Sequence, residues 1–294
     1  MATIKVTEKQ IPINYGLYTK VLLMCKRLTQ KKPKWDCVFN IDGMEGVGKT
    51  TLSILIGYII AKETGRPFSE KNMFFNVDEG IKFAQNTEEQ IIIFDEPSND
   101  ALGIEFRNKT QIKLMKLLMQ VRKKRHLIIF NLTKFYKFAE YIVVDRPNAG
   151  MFHVFISNQS NRQEVMFSFI PSPALQVLYN DYRFKKLRNY AKYTQFVGRF
   201  PDILDVERPY NILDEFDIED YERRKDKGIQ EIGKAKEDEK IEKYKDKIKE
   251  LKHGIATLDI KNIKTVNELM AHFGVTKSER ALGRWRQKEK VTEA

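Results

Sequence analysis

The segment from Gly43 to Thr50 reads Gly-Met-Glu-Gly-Val-Gly-Lys-Thr and matches the G-x-x-x-x-G-K-[ST] template at every fixed position. A mostly apolar run, Cys37–Ile41, precedes it, and a helical pattern, Thr50–Thr64, follows it. A turn between a strand and a helix N-terminus directs backbone N–H groups at a bound phosphate, and glycines keep Cβ atoms out of the way. The sequence therefore predicts a nucleotide-binding loop between a strand and a helix.

Individual positions of this loop have expected roles. The Lys49 ammonium would reach the β- and γ-phosphates, and the Thr50 hydroxyl would be a ligand of Mg²⁺. Met44 occupies the place where partition-type ATPases carry a second lysine, which disfavours that subclass. ATP and Mg²⁺ are the expected cofactors. The residues expected around the nucleotide are Gly43, Met44, Glu45, Gly46, Val47, Gly48, Lys49, Thr50 and Thr51.

A second motif follows about 45 residues later, where the apolar run Ile91–Phe94 ends in Asp95 and Glu96. This pattern resembles a Walker B strand, in which Asp95 lies beside the Mg²⁺ shell and Glu96 serves as the base that activates water. A strand that ends in an acidic turn before Pro97 is the structural alternative. Small-molecule kinases commonly lack the second carboxylate, so the pair favours an ATPase that couples hydrolysis to motion.

Further candidate catalytic residues lie downstream. The run Leu127–Asn131 resembles a sensor strand, which in this ATPase group lies between the loop strand and the Walker B strand. Asn131 either hydrogen-bonds the attacking water or γ-phosphate, or caps the next helix. An arginine that acts on a neighbouring subunit's nucleotide is expected among Arg107, Arg122 and Arg146, although Arg122 also suits a helix C-terminus.

The alternation of short apolar runs with helical periods between residues 35 and 170 predicts an α/β fold. Hydrophobic residues at 42% and charged residues at 31% exclude a wholly disordered or collagen-like chain. We expect an N-terminal helical segment (1–34), an ATPase domain (35–200), a charged helical connector (201–260) and a small helical domain (261–294). The helix predicted over 106–125 has its apolar stripe at Ile112, Met115, Leu118 and Met119.

The net charge of +12 favours a polyanionic partner, nucleic acid ahead of a membrane surface. Basic and aromatic residues interleave over 179–193, where Arg183, Lys185 and Lys186 are candidate DNA contacts; the alternative is an amphipathic helix with its tyrosines on the core. The pattern of 265–285 predicts a helix-turn-helix or, alternatively, a module that docks a partner protein. Its candidate DNA contacts are Lys277, Arg280, Arg284 and Arg286.

Cysteine content and hydropathy bear on the compartment. The chain has two cysteines and no C-x-x-C pair, which favours a reducing compartment over a disulfide framework. The N-terminus shows no signal segment, and the longest apolar stretch, Leu52–Ala61, is about half of what spans a bilayer. We expect a cytoplasmic protein, in the host cytoplasm if the chain is viral, with no membrane partner.

The order of these parts resembles the HerA/FtsK-type DNA-pumping ATPases, and within them the zonula-occludens-toxin-like and packaging ATPases of viruses and mobile elements. The resemblance covers about residues 35–175 and rests on Gly43–Thr50, Asp95-Glu96, the helix that ends at Arg122, the polar-ended strand and a hairpin near 151–170. Members generally carry Gln where this chain has Asn131. The resemblance implies a RecA-like P-loop NTPase core and a homo-oligomer, a hexameric ring that translocates DNA.

The resulting hypothesis is an oligomeric, ATP-hydrolysing DNA motor that translocates or packages viral or mobile-element DNA. The alternative is a non-motor, DNA-binding ATPase switch that loads or recruits a recombinase, a helicase or another partner.

Overall fold

The structure is a computed structural model, and it describes residues 2–6, 9–96, 104–157 and 163–228 together with residues 230, 241 and 244–247. Side chains of 2–6 and 104–108 lie outside that description. The chain divides into two compact units, residues 1–230 and 231–294. The residues of the candidate site described below lie in the first unit.

Within the described residues, seven strands form one mixed sheet in the order β4-β5-β6-β3-β7-β8-β9. The five strands from β4 to β7 are parallel, and β8 and β9 continue the sheet in antiparallel fashion. Their bounds are β3 Cys37–Gly43, β4 Met73–Phe74, β5 Ile91–Asp95, β6 Leu127–Leu132, β7 Met151–Ser157, β8 Glu164–Ile170 and β9 Phe196–Gly198.

Helices cover both faces of this sheet. Their bounds are α1 Tyr15–Thr29, α2 Lys49–Thr64, α3 Val77–Asn86, α4 Ile104–Gln120, α5 Ser172–Lys185, α6 Tyr190–Tyr193 and α7 residues 218–228. In β5, Ile91 and Ile93 face the cluster that contains α1 and α2, whereas Ile92 and Phe94 face the cluster that contains α4 and α5. This alternation follows from the two-residue period of a strand, and it fills both interfaces of a three-layer α/β fold. The predicted α/β class is confirmed.

The strand order places the candidate site. β6 lies between β3 and β5, so Asn131 pairs in register with Ile41 on one side and with Asp95 on the other. Parallel strands present their carboxyl ends at one edge, where α/β folds bind their ligands. The loop, the acidic pair and the polar strand end therefore converge at the same edge, as the sensor-strand prediction requires.

The N-terminal region differs from the predicted helical segment. A two-stranded antiparallel hairpin, β1 (Ala2–Val6) and β2 (Lys9–Ile13), precedes α1. The reason is the two-residue spacing of Ile11 and Ile13, both buried, which suits a strand and not a helix. α1 then begins at an Asn14 cap, whose side chain accepts a hydrogen bond from the Leu17 N–H.

The structure also differs from the predicted charged connector (201–260). Its first part, residues 201–228, belongs to the first compact unit. Ile203, Ile212, Phe216 and Tyr221 are fully or almost fully buried in the cluster that contains α2. Because these apolar residues are isolated within a charged sequence, they do not form a recognisable helix or strand period.

The predicted stripe of α4 is partly wrong. Ile112 and Met119 are exposed, and the helix is buried through other residues, because its leucines, not these two side chains, face the sheet. The buried apolar residues of α4 and of the turn that follows it are Leu114, Leu117, Leu118 and Val121. No helix in the described part of the chain is long and apolar enough to cross a bilayer.

Candidate nucleotide-binding and hydrolysis site

The Gly43–Thr50 loop joins the end of β3 to the start of α2. A Cβ on Gly43 would lie 2.5 Å from the carbonyl oxygen of Val154 on β7, so a larger residue would push these strands apart. Gly48 has φ 88° and ends the loop in the left-handed region that favours glycine. Both glycines are thus needed for the turn, and Met44, Glu45 and Gly46 are exposed at its tip.

Lys49 is held inside this loop. Its Nζ donates a hydrogen bond of 2.6 Å to the Met44 carbonyl oxygen and lies 3.9 Å from Glu96 Oε1. Burial lowers the pKa of Lys49, and the nearby Glu96 and Asp95 carboxylates oppose that shift. A buried ammonium whose main partner is a backbone carbonyl is suited to bind the oxygens of a phosphate chain.

The predicted Mg²⁺ ligands lie together. Thr50 Oγ1 is 3.2 Å from both carboxylate oxygens of Asp95, which is almost fully buried. A hydroxyl and a carboxylate are hard oxygen donors, and Mg²⁺ in phosphate sites takes one or two such ligands together with water and phosphate oxygens. The donor set therefore fits Mg²⁺, which Thr50 and Asp95 would hold.

Glu96 follows β5 in a left-handed conformation, φ 51°, that non-glycine residues rarely adopt. Its N–H donates to the Asn131 carbonyl oxygen at 3.2 Å, which fixes this turn to the neighbouring strand. Burial raises the pKa of the Glu96 carboxyl, and the adjacent Asp95 raises it further. A carboxylate with a raised pKa beside the Lys49 ammonium has the position and basicity expected of a group that activates water.

Asn131 is fully buried and does not cap the helical turn that follows it. Its Nδ2 donates to Asp95 Oδ1 at 2.8 Å and to Ser53 Oγ at 3.0 Å, while the Ser53 hydroxyl donates to the Thr50 carbonyl oxygen at 2.8 Å. These bonds connect α2 to the end of β5. The side chain of Asn131 thus holds the Asp95 carboxylate from the neighbouring strand. Ser53 was not predicted, although its place three residues after Thr50 puts it on the same face of α2.

Sequence reasoning also missed Tyr221, which lies in the charged stretch after the sheet. Its hydroxyl donates to Asp95 Oδ2 at 3.1 Å, and its side chain is almost fully buried. An isolated aromatic residue in a charged sequence was the available signal for a buried contact.

The three candidate arginines have different surroundings. Arg146 forms a bidentate ion pair with the fully buried Asp36, and its Nε donates to the Leu118 carbonyl oxygen at 3.0 Å. These intramolecular partners give Arg146 a structural role. Arg122 is exposed, with its guanidinium 4.5 Å from the centroid of the Trp35 ring. Arg107 lies in α4, but its side chain is outside the described residues.

A cavity of about 280 Å³ is lined by Asp42, Gly43 and Met44 together with aromatic and basic residues. Asp42 accepts hydrogen bonds from the Phe135 N–H at 2.9 Å and, at 3.0 Å, from His153 Nδ1 when that atom carries the proton. The His153 ring stacks on Tyr190, with 3.8 Å between centroids and 2° between planes. The residue before the loop is thus connected to α6.

The predicted basic and aromatic segment forms α5 and α6, which lie beside this cavity. Tyr179, Tyr190 and Tyr193 pack on the second core cluster, as the amphipathic alternative expected. The basic side chains are exposed, and three of them form ion pairs: Arg183 with Glu140 at 3.4 Å, and Lys185 and Lys192 with Asp181 at 3.1 and 3.7 Å. The exposed basic residues of the segment are Arg183, Lys185, Lys186, Arg188 and Lys192. The predicted helix-turn-helix contacts, Lys277, Arg280, Arg284 and Arg286, lie outside the described residues.

Comparison with known proteins yields structural similarity alone. No protein-family model matches the sequence, and no curated protein is significantly similar to it. A KaiC-like protein from the hyperthermophilic archaeon Pyrococcus horikoshii is 18% identical, with a TM-score of 0.35, over 46% of this chain and 79% of that protein. The flagellar accessory protein FlaH from Methanocaldococcus jannaschii is 10% identical, with a TM-score of 0.29, over 50% and 82% of the two chains. The DnaC helicase loader is 16% identical, with a TM-score of 0.25, over 42% and 74%.

At these values the similarities carry no argument. The class follows from the strand order, with β6 between the loop strand and the acidic strand, and from the glycine-rich loop at the start of α2. The chain has a RecA-like P-loop NTPase fold.

Proposed function

We propose that this chain is a Mg²⁺-dependent ATPase that works on DNA as an oligomeric motor. The observation that carries the hydrolytic part is the convergence of Thr50, Asp95, Lys49 and Glu96 at one edge of the sheet, through the 3.2 Å Thr50–Asp95 bonds and the 3.9 Å Lys49–Glu96 pair. These four side chains supply a cation for the phosphates, two oxygen ligands for Mg²⁺ and a base.

The chemistry follows from these roles. Glu96 accepts a proton from water while that water attacks the γ-phosphorus, and the bond to the β–γ bridging oxygen breaks to release ADP and phosphate. Lys49 compensates the negative charge on the phosphate oxygens. Bound Mg²⁺ would neutralise further charge on the β- and γ-phosphates. Asn131 holds Asp95 in place from the neighbouring strand.

The exposed basic surface of α5 and α6 supports DNA as the partner, because its cations can neutralise backbone phosphates. Phe184 adds an exposed ring, with 74% of its surface accessible, on which a base can stack. The same surface is connected to the nucleotide loop through the Tyr190–His153 stack and the His153–Asp42 hydrogen bond. A shift of α6 on DNA would thereby act on Asp42, the residue that precedes the loop.

Motor activity, a ring of subunits and DNA packaging come from the resemblance of the motif order to the DNA-pumping ATPases, and they belong to the proposal. An arginine supplied by a neighbouring subunit is part of it. Arg122 and Arg107 are the candidates for this role, because Arg146 already has buried partners. A cytoplasmic location and a partner protein bound through residues 261–294 complete the proposal.

The central experiment measures phosphate release with and without DNA for the full chain and for Lys49→Ala. We expect turnover that DNA stimulates and that the variant abolishes, since its loop lacks the buried cation. Unchanged turnover of Lys49→Ala would contradict the assignment. Motor activity is tested by the displacement of a protein roadblock from DNA. ATP-dependent DNA binding without displacement would instead indicate the alternative, a non-motor ATPase switch that binds DNA.

The DNA surface is tested by Lys185→Gln with Lys186→Gln. The matched control is Lys31→Gln with Lys34→Gln, which removes the same charge from exposed lysines of the loop after α1. We expect the first pair to weaken DNA binding and to reduce the slope of log affinity against log salt by up to roughly 0.9 for each lost phosphate contact. Equal effects of the two pairs would indicate a response to net charge alone.

A further inference from the structure

The segment 212–228, which we name the strap, runs from the C-terminal half of α2 to the edge of the sheet where Asp95 lies. It contains Ile212 and Phe216, both buried against the cluster of α2, and then α7. Asp217 begins α7 as its cap, because its Oδ1 accepts a hydrogen bond from the Asp220 N–H at 2.9 Å. The strap lies outside the loop and Walker B motifs, yet its Tyr221 reaches Asp95.

Several contacts fix the strap to the sheet and to α2. Glu215 accepts a hydrogen bond of 2.9 Å from the Tyr58 hydroxyl and pairs with Lys62. Arg224 donates to the carbonyl oxygens of Glu70, at 2.5 Å, and Met73, at 3.1 Å. Anchors on both sides of Tyr221 define the position of its hydroxyl.

Close packing of α7 adds to these anchors. A Cβ on Gly228 would lie 2.7 Å from Phe75 Cβ, so α7 approaches this residue closely. The Tyr221 ring lies 5.5 Å from the Phe75 ring and 6.1 Å from the Phe216 ring, between centroids. The phenol is therefore held by aromatic contacts, and its hydroxyl is left to bind the carboxylate.

We infer that Tyr221 is a positioning residue for Asp95, through which the strap completes the Mg²⁺–nucleotide site; this inference rests on the proposed ATPase function. Asp95 Oδ1 accepts from Asn131, and Oδ2 accepts from Tyr221. One bond to each oxygen fixes the rotation of the carboxylate about its terminal torsion. Without the Tyr221 bond, Oδ2 retains only the 3.2 Å contact with Thr50 among the described residues.

A further contact within α7 involves the Tyr221 ring. The Lys225 ammonium lies 5.7 Å from the centroid of that ring. This arrangement makes the geometry of the site depend on a segment that leads into the second unit of the chain.

The test compares Tyr221→Phe with Tyr58→Phe in the full chain. Each variant removes one buried tyrosine hydroxyl that binds a carboxylate: Tyr221 binds Asp95, whereas Tyr58 binds Glu215 of the strap. The measurements are the binding of a fluorescent ATP analogue in EDTA, its binding as Mg²⁺ is titrated, the melting temperature, and kcat with KM for ATP.

We expect Tyr221→Phe to raise the half-saturating Mg²⁺ concentration about tenfold, the equivalent of one hydrogen bond to a charged group. Its kcat should fall, while its KM and its binding in EDTA stay within about twofold of the parent. Tyr58→Phe should leave the Mg²⁺ dependence unchanged, because Glu215 keeps its ion pair with Lys62 and the strap therefore stays anchored to α2. Equal Mg²⁺ dependence of both variants, or a lower melting temperature as the only effect of Tyr221→Phe, would overturn the inference. A parent chain that binds Mg²⁺ and nucleotide without turnover would overturn the proposed function, while the Mg²⁺ titration would still decide the role of Tyr221.

Discussion

The side-chain amide of Asn131 donates a hydrogen bond of 2.8 Å to Asp95 Oδ1 across the register pair that joins β6 to β5. The amide is fully buried, so it acts on the carboxylate and lies away from the surface where water would enter. The polar end of β6 therefore supports the Asp95 carboxylate. In the proposed mechanism, the activation of water falls to Glu96, the residue that follows β5.

The first prediction concerns Glu96→Gln. The amide keeps the size of the side chain but loses its basicity, so we expect nucleotide binding to persist and turnover to fall by about 10²–10⁴-fold. Single-turnover phosphate release, together with binding of a fluorescent ATP analogue, measures both effects. Glu79→Gln, an exposed change in α3, is the control for loss of one carboxylate. Parent-like turnover of Glu96→Gln would mean that another group activates water.

The second prediction concerns the ion pair of Arg146 with Asp36. Arg146→Ala leaves a fully buried carboxylate without its cation, so we expect the free energy of unfolding to fall by about 3–5 kcal/mol. Arg122→Ala removes an exposed cation–π contact with Trp35 and should cost about 0.5–1 kcal/mol. Urea unfolding curves of the two variants measure this difference.

If Arg146 instead acts on the nucleotide of a neighbouring subunit, we expect the opposite result for Arg146→Ala. The variant would then retain its stability and lose turnover only in the assembled protein. Mixing Arg146→Ala subunits with Glu96→Gln subunits and measuring turnover separates the two cases, because an arginine that acts in trans restores some active interfaces.

The sequence predicted the parts of the site that short motifs encode. The loop, Asp95 and Glu96 each lie within a run whose spacing is set by local backbone geometry, and Asn131 was found because a strand end is visible as an apolar run with a polar terminus. The strand order, with β6 in the centre, agrees with the expectation for a sensor strand.

The support of the site could not be predicted in this way. Tyr221 lies 126 positions from Asp95 in the chain, and among residues 218–228 of α7 it is the one large side chain that is buried, so no apolar stripe marks this helix. The pairing of Arg146 with Asp36 spans 110 positions and joins two loops. Such contacts arise from tertiary packing between distant parts of the chain, and no local sequence pattern indicates them.

The third prediction concerns the two thiols. Burial raises the pKa of Cys25 and of Cys37 from 9.0 to about 12, so at pH 8 the thiolate fraction falls by about a thousandfold. We expect negligible reaction with Ellman's reagent in the native protein and two reactive thiols after denaturation. Since the folded-state pKa is raised, these thiols favour the folded state below pH 9 and lose that contribution as the pH rises towards 12. Rapid native labelling would show that the α1–β3 region opens readily.

The last prediction concerns the tail. The chain divides into two compact units, residues 1–230 and 231–294, so deletion of 263–294 should leave the first unit folded and its DNA-independent ATP hydrolysis intact. If the tail is a DNA-binding helix-turn-helix, the truncation loses DNA affinity and part of its salt dependence, roughly 0.9 in the slope of log affinity against log salt for each phosphate contact removed. Arg280→Ala with Arg284→Ala in the full chain should reproduce part of this loss. Fluorescence anisotropy at several salt concentrations measures the slopes, with Lys31→Gln and Lys34→Gln as the charge control. An unchanged slope in the truncated chain, with altered oligomerisation, would instead identify the tail as a module that docks a protein.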